Sequence, residues 1–159
     1  MPLLFGHKIR FLREIHALTQ RRIAERLDIL QSHVSHLEAG RKQPLVPLVL
    51  NYAVLFGTST DYLLRDELAV AAETSTYDLI HPLKLSYPQQ FGIKLRTLRL
   101  QRGWSQTQLA SHFGVKQIFI SFLEIGRKHP MPAMVVEIAT VFGVTTDELL
   151  WDRLLVKRS

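Results

Sequence analysis

The chain has no cysteine, which excludes disulfides and Cys-ligated zinc or iron–sulfur centres and suits a reducing cytosol. No apolar run approaches the roughly 20 residues that a membrane-spanning helix needs. A short apolar start is broken by Lys8, Arg10 and Arg13, so it does not read as a secretory signal. The period-two alternation of strands is missing as well. So are a Gly-rich phosphate loop, a Ser/His/Asp order with a nucleophile turn, and acids paired for a cleft, which leaves catalysis no foothold. Acids are scarce beside bases, 14 against 20 Lys and Arg, for a net charge of +6. That excess favours a polyanionic partner.

What is present is a repeat. Gln31-Ser32-His33-Val34-Ser35-His36-Leu37-Glu38-Ala39-Gly40-Arg41-Lys42 returns, in frame, as Gln117-Ile118-Phe119-Ile120-Ser121-Phe122-Leu123-Glu124-Ile125-Gly126-Arg127-Lys128. The same offset carries Phe5-Gly6, Lys8 and Arg13 onto Phe91-Gly92, Lys94 and Arg99. It also carries Phe56-Gly57, Thr60-Asp61 and Asp66 onto Phe142-Gly143, Thr146-Asp147 and Asp152. Two long copies are too few for a solenoid, so the chain reads as tandem small domains. The spacing places a first domain over 1–73, with a last helix extended through Glu67 to Glu73, a linker over 74–87, and a second domain over 88–159. Apolar Tyr77, Leu79, Ile80, Leu83 and Leu85 make that linker one that packs against something.

Within a copy, breaks fall between five short helices, so the class is all-α. Helix one runs from about Gly6 to His16, with Ile9, Leu12 and Ile15 on one face. Thr19 caps helix two, Gln20 to Leu27, and Ser105 to Gln108 has capping-box spacing. Asp28 and Gly114 occupy turns that favour a left-handed residue. Helix three is the repeated stretch, ended by Gly40 or Gly126. An apolar helix follows, from Pro47 to Phe56 or Ala133 to Phe142, and a fifth is capped by Ser59 or Thr60, and by Thr145 or Thr146. Ala24 and Ala110 are small where helices two and three cross, while Val34, Leu37, Ile120 and Leu123 point inward. Glu38 and Glu124 stand where the helix dipole disfavours an acid, and pairing with Arg13 or Arg99, or with Arg10 or Arg96, would explain them.

The run Gly-x-x-Leu/Ile-Arg-x-Leu-Arg, then Thr/Ser-Gln, Ala, and Gln-x-x-Val/Ile-Ser-x-Leu-Glu-x-Gly-Arg-Lys resembles the Xre/Cro-like helix-turn-helix domain of phage-repressor type. The second copy matches nearly throughout, including Gly103-Trp104-Ser105-Gln106; the first is looser, with Ala17-Leu18 and Asp28-Ile29 at its turns. The resemblance implies two tandem five-helix lambda-repressor-like domains and a cytoplasmic regulator of transcription, most readily a repressor, that binds double-stranded DNA. It implies base contacts from Gln31, Ser32, Ser35 and His36, with Gln117 in the second copy. It implies phosphate contacts from Gln20, Arg21, Arg22, His33, Arg41 and Lys42, and from Gln106, Lys116, Arg127 and Lys128.

The second copy departs from this polar pattern. Ile118, Phe119, Phe122 and Ile125 make its third helix apolar almost all round, the character of a buried helix. Three uses stay open: a protein interface that dimerises the chain or docks on its own first copy or linker, a reader of thymine methyls, or ordinary core. His33 and His36 lie at a spacing that could hold a metal, but the ligand set stops there; no cofactor and no small-molecule effector is expected, and Trp104 and Trp151 read as packing residues. The competing class is an antitoxin-like or adaptor protein that keeps the helix-turn-helix fold without reading bases.

Overall fold

A computed structural model describes residues 4–68 and 85–152. The chain divides into two compact units, Met1–Ser86 and Tyr87–Ser159. The described residues hold ten helices and no strand. In the first unit these are α1 (Phe5–Ile15), α2 (Gln20–Leu27), α3 (Gln31–Glu38), α4 (Val46–Leu55) and α5 (Thr60–Leu64). The second unit has α6 (Phe91–Gln101), α7 (Gln106–His112), α8 (Gln117–Glu124), α9 (Pro132–Phe142) and α10 (Thr146–Leu150).

Local chemistry sets these boundaries. The Thr19 hydroxyl accepts from the Arg22 N–H at 3.1 Å and Ser59 from the Tyr62 N–H at 3.0 Å, so both act as N-caps. Ser105 and Thr145 each form a full capping box, with Gln108 and Glu148. Of the two hydroxyls available at the start of each last helix, the outer one caps and the inner one, Thr60 or Thr146, is buried. Asp28 is left-handed (φ 52°), as is Gly114 (φ 62°). Ala17 is left-handed too (φ 51°), at the position where the second unit has Gly103.

Each core is built from the inward faces of its helices. Ile9, Leu12, Val34, Leu37, Val49 and Leu63 are fully buried in the first unit, and Leu95, Ile120, Leu123, Val135, Ile138 and Leu149 in the second. Ile15 does not join them: it is 47% exposed. Six residues after Ile9, at about 100° each, it has turned some 120° away from the buried stripe.

Two contacts fix the third helix from below. Gly6 lies against the carbonyl oxygens of Leu37 and Glu38, and Gly92 against those of Leu123 and Glu124, so closely that a methyl group at either glycine would collide with backbone. The start of the first helix therefore rests directly on the carboxyl end of the third. No side chain intervenes.

The last helix is tied back by a buried cation. The Lys8 ammonium donates to the carbonyls of Tyr62 (2.6 Å) and Arg65 (2.5 Å), and Lys94 does the same to Glu148 (2.7 Å) and Trp151 (2.6 Å). Burial pushes both lysines below their ordinary pKa, with Asp66 and Asp152 opposing the shift. Asp66 accepts from the Leu4 N–H, and Asp152 from those of Gln89 and Gln90. This closure corrects the expected extension of the first domain's last helix. α5 stops at Leu64, Arg65 turns extended (ψ 114°), and Glu67 and Leu68 lie outside any helix. The Tyr62 and Arg65 carbonyls turn to Lys8 where the helix ends. The rest of that expected extension, 69–73, and the expected linker as far as 84 lie outside the described residues. At the linker's described end, the Leu85 N–H donates to the Oδ1 of buried Asn51 on α4 at 3.0 Å, and Tyr87 stacks on His129 at 3.9 Å.

Candidate nucleic-acid interface

In each unit two short helices meet at a tight turn, α2 with α3 and α7 with α8. Ala24 and Ala110 are buried at those crossings. Glu38 and Glu124, each nearly buried, lock the third helix to the first. Arg13 meets both oxygens of Glu38, Nε at 2.6 Å and Nη2 at 3.0 Å, and Arg99 meets Glu124 at the same two distances. These bidentate pairs hold the guanidinium pKa above its ordinary value in both units. The remaining Arg nitrogen, Nη1, donates to the Leu18 carbonyl (3.1 Å) or the Trp104 carbonyl (2.7 Å). One residue thereby ties helix one, the following turn and helix three. Breaking such a buried pair by removing one partner costs about 3–5 kcal/mol.

The same carboxylates take the first residue of the second helix. Gln20 Nε2 donates to Glu38 Oε2 and Gln106 Nε2 to Glu124 Oε2, each at 2.9 Å. In the second unit the chain of amides goes one step further, with Gln117 Nε2 donating to Gln106 Oε1 at 2.5 Å. Gln20 and Gln106 are thus half-buried and oriented, with one amide hydrogen already engaged. The resemblance implies a phosphate contact for both, and nothing in the sequence marks this internal partner.

On α3 the outward positions are polar. Gln31 and Ser32 are exposed, and Ser35 and His36 are half-buried beside them. His33 is half-buried, and burial lowers its pKa, with Lys42 and then His36 adding repulsion. Arg41 and Lys42 are exposed after the Gly40 turn. Arg21 and Arg22 are exposed on α2, each paired with Glu25 (3.0 and 3.5 Å). Surface pairs of this kind are worth about 0–1 kcal/mol and yield readily to a phosphate. Leu30, just before α3, is 76% exposed, an outward apolar residue absent from the expected contacts; its counterpart across the repeat is a cation, Lys116, and that mismatch is the signal the sequence holds.

On α8 the outward face is apolar. Ile118 and Ile125 are 50% and 58% exposed, while Phe119 and Phe122 are half-buried. The patch is therefore not core; the inward positions belong to Ile120 and Leu123. Val115, Ile118, Phe119 and Phe122, together with Lys116 and Lys128, line an open concavity of about 420 Å³. Lys128 Nζ stands 5.6 Å over the Phe119 ring. Gln117 and Arg127 are exposed nearby.

His33 and His36 gather no third ligand: among the described residues no group of three or more His, Asp or Glu side chains could hold a metal. Nor, among the described residues, is any helix long and apolar enough to cross a membrane.

The family comparisons fall on the same two units. Residues 4–68 match a family described as helix-turn-helix domain, and residues 95–149 match a second family described as helix-turn-helix. Antitoxin HipB of Escherichia coli O6:H1 is 39% identical over 49 residues, which is 31% of this chain. The chain spans about half, 52%, of that relative's length. No solved structure matches. Two such matches at separate positions, on units that share one ion-paired frame, show that the chain carries a helix-turn-helix domain of the Xre/Cro-like kind twice.

Proposed function

We propose that the chain is a cytoplasmic, sequence-specific regulator of transcription, a repressor, which reads the major groove of double-stranded DNA with α3. The observation that carries this reading is the polar outer face of α3, Gln31, Ser32, Ser35 and His36, mounted on a helix whose inner side is fixed by Glu38. Gln is suited to adenine and Ser to either base type, while His can donate to guanine. Gln20, Arg21, Arg22, His33, Arg41 and Lys42 would meet phosphates, contributing affinity and salt dependence without sequence preference. In the second domain Gln117 would meet a base, with Gln106, Lys116, Arg127 and Lys128 on phosphates. The domains divide as 1–73 and 88–159 with 74–87 between them, and α8 serves as a weaker reader or, through Ile118, Phe119, Phe122 and Ile125, as an association surface for a homodimer. Gel shifts on sites selected from random DNA test the main reading. Gln31→Ala with His36→Ala should lower affinity and relax preference; an unchanged affinity and preference would sink base reading by α3.

A second reading is favoured by the similarity to an antitoxin. The chain would then act as an antitoxin-like or adaptor module, its fold serving a protein partner. Selection from random DNA that enriches no sequence would support that reading over the first.

A further inference from the structure

We propose that α8 is an apolar DNA reader, recognising the 5-methyl groups of thymines through Ile118 and Phe122. This rests on the DNA-binding reading above and gives the second domain its own ligand chemistry. Ile118 and Phe122 stand at the positions that Ser32 and His36 hold on α3, with Ile118 half exposed. The helix beneath them is held in the same way, by Arg99, Glu124 and Gln106 at the distances found in the first unit. The face is thus presented by a frame common to both domains, and only its chemistry differs.

Charge decides among the occupants that an apolar face could take. Lys116 and Lys128 line the concavity itself, no acid does, and Arg127 is exposed beside it. A second copy of this face would bring its own three cations against these, and such like-charge juxtaposition opposes association. Duplex DNA offers the matching pattern. Thymine methyls are the apolar groups of the major groove, and phosphates flank them on both strands, within reach of cations at the rim. A partner protein would have to combine acidic side chains with an apolar anchor, and that is the alternative the experiment must separate.

The test uses the full chain and duplexes it selects from random DNA, with each thymine replaced in turn by deoxyuridine, which removes only the methyl. Loss of about fourfold in affinity per contacted methyl is expected at a small set of thymines. Ile118→Ser with Phe122→Ser should abolish that sensitivity, whereas Ile93→Ser, an exposed apolar position on α6, leaves it intact. Ile118→Ser alone, at an exposed position, keeps the readout where the double variant fails to fold. Indifference to deoxyuridine at every position overturns the proposal, and so does a sensitivity that Ile118→Ser does not reduce. If the serine variants instead lose a protein partner while their DNA affinity stays unchanged, α8 is a docking surface and not a reader. Failure to select any site at all is a different result: it overturns the DNA-binding reading on which the proposal stands.

Discussion

Ala17 and His33 show how single residues of the first domain depart from the second, and each departure is measurable. Ala17 holds a left-handed conformation that glycine adopts freely at Gly103, and a non-glycine residue there costs roughly 1–2 kcal/mol. Ala17→Gly should therefore stabilise the first domain by about 1 kcal/mol once the added freedom of the unfolded chain is counted, seen as a higher urea midpoint. His33 has a pKa lowered from its usual 6.5 by burial, Lys42 and His36. The unfolded chain then takes up a proton before the folded one does, so its contribution to stability is intact above pH 6.5 and is lost as pH falls through the folded pKa. A nearby phosphate favours the imidazolium, so DNA affinity should rise over the same fall in pH. His33→Phe, which installs the residue found at Phe119, should flatten both trends in pH-dependent melts and gel shifts.

At the scale of the element, the closure of the fifth helix on a lysine of the first makes a sharp case. Lys94→Met leaves the carbonyls of Glu148 and Trp151 without their buried donor, and each unsatisfied group costs about 1–3 kcal/mol. With two such carbonyls, a chemical melt of the second domain should show a loss of about 2–6 kcal/mol while the first domain is unmoved. Nearly all helix limits were legible beforehand, because they are written locally in caps, left-handed turns and apolar spacing. Helix two of the first copy, Gln20–Leu27, came out as read, and the acid before each C-cap glycine did pair with an arginine of helix one. What could not be read was long-range. Lys8 and Asp66 were visible as matched charges in both copies, but nothing in their spacing says that 54 or 62 residues of chain fold back to join them to Tyr62 and Leu4. The extension of α5 failed for that reason. Ile15 failed for a simpler one, since a helical period was stretched a turn too far. On the outward faces of the third helices the polar or apolar character of each position is plain in the sequence, whereas the engagement of Gln106 by both Glu124 and Gln117 needs the fold.

At the scale of the whole molecule, the first domain holds the described end of the intervening chain. Asn51 is buried and receives the Leu85 N–H, so a fragment ending at residue 73 loses that donor while one ending at 86 keeps it. The longer fragment should be more stable by about 1 kcal/mol, as measured by paired urea melts. Equal stability would show that the Leu85 contact adds nothing to a domain ending at 73. The glycines beneath the third helices carry a broader consequence. Because Gly6 and Gly92 set that helix by backbone against backbone, and Glu38 and Glu124 lock it from its inner side, the outward side chains other than Gln117, which bonds Gln106, are not needed to hold it. The outer face is then a cassette, free to drift or to be rewritten position by position without retuning the scaffold. One duplicated frame can in this way carry two different outer faces, so that a mutation on one leaves the other's chemistry untouched.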